Sequence, residues 1–268
     1  MKLIIVGDTG SGEIEQYKVA KGIQKNVKEN KINKIIITGD NIYEKGVKNI
    51  DDIQFINKFE KPYQKIKSQF YLLLGNHDYL GDHQAQIEYT KRSKKWNMPD
   101  YYYSIKQKPC EIFMLNTNLN ELSNTERIKQ LEDMIQKIKI SKEKYKIVCG
   151  HHTWRSVGGH GDGDRLFEIF MQELYKQAPF DMYICGHDHC KSVIKININK
   201  KEIPVIVVGT GGKSYPSDME LNRIKGDSQL DYYSPNLGYL VLDANKKRIQ
   251  IIFYNEDNNI EYTFKYTQ

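Results

Sequence analysis

Two histidines at the end of an apolar run carry the most chemical promise in this sequence. Tyr183-Ile184-Cys185 leads into Gly186-His187-Asp188-His189. In an extended chain, residues two apart point the same way and stand about 6–7 Å apart. That is too far to share one small ion, but it suits two imidazoles that each bind one member of an ion pair about 3.5–4 Å apart. Four more apolar runs end alike: 3–6 in Gly7-Asp8, 34–38 in Gly39-Asp40, 70–74 in Gly75-Asn76-His77-Asp78, and 146–149 in Gly150-His151-His152. With Tyr43, these ends supply Asp8, Asp40, Tyr43, Asn76, His151, His187 and His189. Two carboxylates, a phenol, an amide and three imidazoles suit two metal ions of moderate to hard character. Six of the seven histidines fall in or beside these stretches, and His83 stands apart. The chain has neither the G-x-S-x-G elbow of a serine nucleophile nor a G-x-x-x-x-G-K-[ST] phosphate loop.

The elements that must position these residues follow from periodicity. Helical spacing covers about 15–29, 53–66 (with Pro62 kinking or ending it), 84–95, 125–138 with Ser123 or Asn124 as N-cap, and 166–177. Strand-like runs flank the motifs and also occur at 101–105, 111–115, 203–208, 238–242, 248–254 and 261–266. Alternating βα at the front and mostly β at the back predicts an α/β fold: a mixed sheet packed on a second sheet, with helices outside. Ligands bind at the carboxyl ends of strands in such sheets. Glycine there lets the chain turn sharply, so the next side chain enters the cleft. No repeat or long linker interrupts the pattern, so residues 1–268 are expected to form one domain.

Composition narrows the function classes. A chain of 268 residues with 39% hydrophobic and 11% aromatic content can bury a large core and is not disordered as a whole. The net charge of +6 comes from 40 basic and 34 acidic residues spread along the sequence, which favours anionic substrates without indicating a specific nucleic-acid binder. Lys91-Arg92-Ser93-Lys94-Lys95 reads as a solvated face. The four cysteines read as buried thiols rather than a disulfide framework. Only four consecutive apolar residues precede Gly7, too few for a signal-peptide core, and nothing approaches the roughly 20 apolar residues of a membrane span. There is no glycosylation sequon. A cytoplasmic location is expected, or a secreted or lysosomal one if a leader was removed.

Taken in order, Gly7-Asp8-x-Gly10, Gly39-Asp40-x-x-Tyr43, Gly75-Asn76-His77-Asp78, Val148-x-x-His151 and Gly186-His187-x-His189 resemble the calcineurin-like metallophosphoesterases. Tyr43, with Gly10 where most of that family has a histidine, points to the purple acid phosphatase branch. Residues 76–81, Gln86-Ile87-Glu88-Tyr89 and Trp96-Asn97 are similar to the small, tartrate-resistant animal type. The resemblance implies a four-layer α/β/β/α sandwich of two mixed sheets flanked by helices. It implies that metal 1 takes Asp8, Asp40, Tyr43 and His189, and that metal 2 takes Asp40, Asn76, His151 and His187. A phenolate at site 1 goes with Fe(III) in that branch, while site 2 should accept Fe(II), Zn or Mn.

The activity implied is hydrolysis of phosphomonoesters by a metal-bound hydroxide, that is, an acid phosphatase acting on small phosphorylated substrates as a monomer away from membranes. A phosphodiesterase or nucleotide phosphatase on the same site is one alternative, and a phosphatase-fold scaffold with little activity is another. His77 and His160 match residues that contact phosphate or protonate the leaving group, and Asn76 also faces substrate. Asp78 is expected either to orient His77 or to shape a turn, and His152 either to touch substrate or to cap a strand. Three departures stand out: Thr9 replaces an aromatic, His152-Thr153 is unusual after the ligand histidine, and the 116–124 connection is short. A short connection leaves the cleft more open and makes regulation by clipping doubtful.

Overall fold

A computed structural model describes residues 1–198, 200–215, 224, 226 and 228–268. Two seven-stranded mixed sheets pack face to face. In chain order the strands are β1 (Lys2–Val6), β2 (Lys34–Ile37), β3 (Gln69–Leu72), β4 (Trp96–Asn97), β5 (Tyr103–Gln107), β6 (Cys110–Met114), β7 (Tyr145–Cys149), β8 (Met182–Cys185), β9 (Lys191–Ile198), β10 (Lys201–Val208), β11 (Ser228–Ser234), β12 (Gly238–Ala244), β13 (Ile249–Asn255) and β14 (Ile260–Tyr266). The first sheet runs β14-β13-β12-β1-β2-β3-β4 and the second β11-β9-β10-β8-β7-β6-β5. β1, β2 and β3 are parallel neighbours, as are β6, β7, β8 and β10. The loops after them therefore gather at one edge of each sheet. Both faces of these strands are covered, which explains why they read as continuous apolar runs rather than alternating ones.

Helices α1 (Ile14–Asn30), α4 (Asn124–Ile140) and α5 (Arg165–Gln177) form the outer layers. Met134, Ile135 and Ile138 of α4 and Phe170, Met171 and Leu174 of α5 pack on Phe113, Val148, Tyr183 and Val205 of the second sheet. Val19, Ala20 and Ile23 of α1 join the core of the first sheet, which is continuous with the residues between the two sheets. Ser123 caps α4 in a reciprocal arrangement with Glu126, as its S-x-x-E spacing predicts. All four cysteines are buried thiols. Among the described residues, no helix is long and apolar enough to cross a membrane.

Several expectations need correction. The 53–66 stretch is helical only over 54–60, closing as the π-type turn Ile56–Glu60, and turns follow through Pro62, which cannot donate to a helical ladder and ends the helix as expected. Its apolar spacing persists, because Phe55, Phe59, Tyr63 and Ile66 are all buried. The helix expected over 84–95 splits into two shorter elements that follow the one-turn α2 (Asn76–Tyr79): α3 (His83–Glu88) and a 3₁₀ turn Tyr89–Lys91. Strands β4, β9 and β11 were not apparent from the sequence. β9 keeps Lys191 and Ser192 buried within it, which hides its apolar pattern.

Trp96 anchors the corner below α3. It is fully buried against Phe55, Phe59 and Tyr89, with ring centroids 5.6, 4.8 and 5.7 Å away. Its indole N–H donates to the Gln86 carbonyl at 2.8 Å. Trp96→Ala is expected to cost about 3–5 kcal/mol, measured by urea denaturation; a loss under about 1 kcal/mol would show that the corner closes over the gap.

Candidate metal centre

The strand ends converge through backbone that few residues adopt. Asp8, Asp40 and His187, each just after a strand-terminal glycine, have φ of 58°, 52° and 70°. Non-glycine residues in this left-handed region carry a cost of about 1–3 kcal/mol and cluster at functional sites. His187 is therefore not in the extended conformation assumed from its i, i+2 spacing with His189. The turn separates the two rings into different clusters.

In the first cluster, Tyr43 Oη lies 3.0 Å from Asp8 Oδ1 and 3.0 Å from His189 Nε2, and His189 Nε2 is 3.5 Å from Asp8 Oδ1. In the second, Asn76 Oδ1 lies 2.9 Å from His151 Nε2 and 3.1 Å from His187 Nδ1, with those two nitrogens 3.2 Å apart. Asp40 joins the clusters. Its Oδ1 is 3.5 Å from His151 Nε2, and Asp8, Asp40 and His151 place ligand atoms within 4.8 Å of one another. All seven residues named from the sequence are thus brought together.

Ligands held about 2.1 Å from one ion at octahedral or tetrahedral angles stand about 3.0–3.4 Å apart. The separations above match that spacing in both clusters, so the donor set fits two cations. Charge points the same way. Asp8 and Asp40 are buried, and burial pushes the Asp8 carboxyl well above the usual carboxylate range against the opposing pull of His151. Burial, then Asp8 and Asp40, push the Tyr43 phenol well above its ordinary value. Burial also lowers His187 far below the usual imidazole range and His189 to about 4. Neutral imidazole is the form that binds metal. His151 is oriented by a 2.9 Å contact from Nδ1 to the Thr38 carbonyl, which leaves Nε2 facing the cluster.

Gly10 does more than omit a ligand. A Cβ there would stand 2.1 Å from the Asn41 carbonyl oxygen and 2.4 Å from the Ile42 nitrogen. The Tyr43 N–H donates to the Gly10 carbonyl at 3.0 Å, and the Gly10 N–H to the Asp40 carbonyl at 3.1 Å. The loop carrying Tyr43 occupies the volume that a side chain at position 10 would fill.

The remaining candidates flank the clusters. The His77 ring lies 4.6 Å from Tyr43; its backbone N–H donates to Asp40 Oδ1 at 3.0 Å and its Nδ1 sits 2.6 Å from the Glu44 carbonyl. His160 is exposed and stacks on His187 at 4.3 Å. His152 stands 4.7 Å from His187 with Nδ1 2.9 Å from Thr117 Oγ1, and burial lowers it to about 3. Asn76, His152, His160 and His187 line a cleft of about 410 Å³ that also reaches Thr117 and Phe167. The short connection after Asn116 forms one wall through the 3₁₀ turn Leu119–Glu121.

Of the two roles expected for Asp78, shaping the turn is the one the contacts support. It does not serve the His77 ring; its buried carboxylate accepts from the backbone of Asn41, Ile42 and Gly75 and from the side chains of Asn41 and Gln86. It ties two ligand loops together.

Three residues near the site carried no sequence signal. Asp188 Oδ1 accepts the His160 N–H at 2.7 Å and so fixes that loop. Lys213 Nζ lies 3.9 Å from the centroid of the Tyr43 ring and pairs with Glu44 at 2.5 Å. Lys58 also donates to the Tyr43 carbonyl.

A model of the calcineurin-like phosphoesterases matches residues 1–191. The chain belongs to that family. Purple acid phosphatase 17 of Arabidopsis thaliana is 28% identical to this phosphoesterase over 280 residues, covering 95% of this chain and 81% of that protein. Tartrate-resistant acid phosphatase type 5 of Oryctolagus cuniculus is 27% identical over 285 residues, covering 94% and 86%. Two solved structures share the fold. GAP50, described as the anchor in the inner membrane complex of Plasmodium, has a TM-score of 0.85 at 23% identity, covering all of this chain and 88% of that one. The purple acid phosphatase PPD1 from yellow lupin seeds has a TM-score of 0.76 at 16% identity, covering all of this chain and 53% of that one.

Gly10→Ala is expected to destabilise this phosphoesterase by about 1–3 kcal/mol or more and to lower its metal content, measured by denaturation and elemental analysis. Unchanged stability and metal content would show that the Tyr43 loop has room to move.

Proposed function

We propose that the chain is a purple acid phosphatase that hydrolyses phosphomonoesters at a pair of metal ions. The observation that carries this reading is the pair of three-donor clusters joined by Asp40. In it, Asp8, Asp40, Tyr43 and His189 would hold one ion and Asp40, Asn76, His151 and His187 the other. The anionic phenolate of Tyr43 favours Fe(III) in the first site. Two imidazoles and a neutral amide suit Fe(II), Zn or Mn in the second. When bound, such ions neutralise phosphoryl oxygens and make a water acidic enough to supply the nucleophile.

The protein's own side chains do the rest. Asp40 keeps His77 in place through its backbone, and Asp188 does the same for His160. Both rings then face the phosphate, one beside Tyr43 and one above His187. A proton from either meets the leaving alkoxide, help typically worth about 10²–10⁴ in rate. His152 lies on the cleft wall, where it contacts substrate as a neutral donor or acceptor. The substrates are small phosphorylated molecules, and the chain works as a monomer.

The cleft of about 410 Å³ beside Asn76 and His187 leaves space for a second ester substituent, which favours a phosphodiesterase as the second reading. Turnover of p-nitrophenyl phosphate against its bis ester separates the two; faster diester cleavage would reverse the assignment. A scaffold role like the one named for GAP50 does not need an intact donor set, and this chain retains all seven residues. Iron-loaded protein is expected to show a visible absorption band that Tyr43→Phe removes. A colourless wild-type protein holding two Mn per chain would refute the iron–phenolate assignment.

A further inference from the structure

A second cavity, of about 240 Å³, adjoins the cleft and shares Tyr79 and Glu121 with it. Tyr101, Tyr102, His83 and Glu126 form its other principal walls. At roughly 30 Å³ per water it holds about eight waters, enough for a small head group. Three phenol rings and two carboxylates surround that space, and among the described residues no lysine or arginine lines either cavity. The cleft adds Asp164, while its Asp162 is paired with Arg155. In a chain of net charge +6 this is a locally negative region.

The rings are held in place. Tyr79 Oη takes a 2.6 Å bond from Asn116 Nδ2, and its ring stacks on His83 at 4.3 Å. Tyr101 Oη donates to Gln84 at 2.9 Å and meets His83 Nδ1 at 3.1 Å. Burial lowers His83 from its usual value, which favours the neutral ring. Glu126 keeps its carboxylate on the Ser123 N–H at 2.8 Å. Lys137 rests over the Tyr102 ring at 5.3 Å without lining the cavity, so Tyr79 and Tyr101 carry the argument.

Aromatic faces and carboxylates together replace the hydration of an organic cation, and they repel an anion. We propose that this cavity receives a primary or quaternary ammonium carried on the leaving alcohol of the substrate, which makes aminoalkyl phosphomonoesters preferred over polyphosphorylated ones. The inference rests on the hydrolase reading above. In the reaction, water oxygen bonds to phosphorus as the ester P–O bond breaks, and the alcohol departs protonated with its ammonium group unchanged.

The test is a length series on the metal-loaded enzyme, from ethanolamine phosphate to octanolamine phosphate, each beside the ω-hydroxyalkyl phosphate of equal length. At the best-fitting length the amine is expected to exceed its hydroxyl partner in kcat/KM by about tenfold. Tyr101→Leu should erase that advantage while leaving p-nitrophenyl phosphate turnover intact, and Glu121→Gln should narrow it. Equal rates at every length, with p-nitrophenyl phosphate turned over normally, would overturn the proposal. If no monoester is cleaved, the hydrolase reading fails on its own. Calorimetry of hexyltrimethylammonium with the metal-free protein then decides the cavity: binding that Tyr101→Leu removes upholds the cation site, and no binding overturns it.

Discussion

Asp8 and Asp40 are two carboxylates buried side by side, and among the described residues no lysine or arginine forms an ion pair with either. Two like charges out of water are costly without compensation. Neutral histidines, an amide and a phenol that resists ionisation surround them, so the protein supplies donors and leaves positive charge to be added. The left-handed turns at Asp8, Asp40 and His187 add strain at the same place. Everything else at this edge of the sandwich works to hold that arrangement.

It is held by carboxylates that reach across loops. Asp8 Oδ2 accepts the His187 N–H at 2.9 Å, and Asp40 Oδ1 accepts that of His77. Asp78 binds the loop after β2 to the one after β3, and Asp188 binds the His160 loop. Each link joins segments far apart in sequence. Asp8 and Asp40, the two carboxylates that face the clusters, therefore also fix the backbone of another motif, and side-chain position depends on the whole strand-end layer. Gln86 extends this inward: its side chain donates to Asp78 while its carbonyl receives Trp96. A core aromatic and a ligand loop thus share one chain of contacts.

The sequence was most readable where local chemistry and architecture agree. Gly followed by Asp, Asn or His after an apolar run marks both a strand end and a candidate donor, which names Asp8, Asp40, Asn76, His151 and His187, while Tyr43 and His189 stand a few residues further along the same loops. Ser123 was visible as one of two candidate N-caps for the same reason, and it is the one that caps α4. The reading failed where tertiary contacts set the outcome. Burial of Lys191 beside Glu261 conceals β9, and Pro62 together with the packing of Phe55, Phe59 and Tyr63 confines an expected helix to 54–60. Asp78 and Asp188 looked alike as neighbours of histidines, yet each serves a loop that only the fold brings near. Lys213 over Tyr43, and the tyrosine-walled cavity beside the cleft, unite residues from distant segments with no shared pattern.

The close approach of the Asn41–Ile42 backbone to Gly10 orders the steps by which such a site could have evolved. A lineage with a side chain at position 10 cannot first acquire this path for residues 41–43, because the two would occupy the same space. Glycine at position 10 is therefore a precondition for this path of the tyrosine loop, and a larger residue there stays blocked for as long as that loop stays closed. Sterics thus act as a ratchet on which side chain can stand beside Asp8.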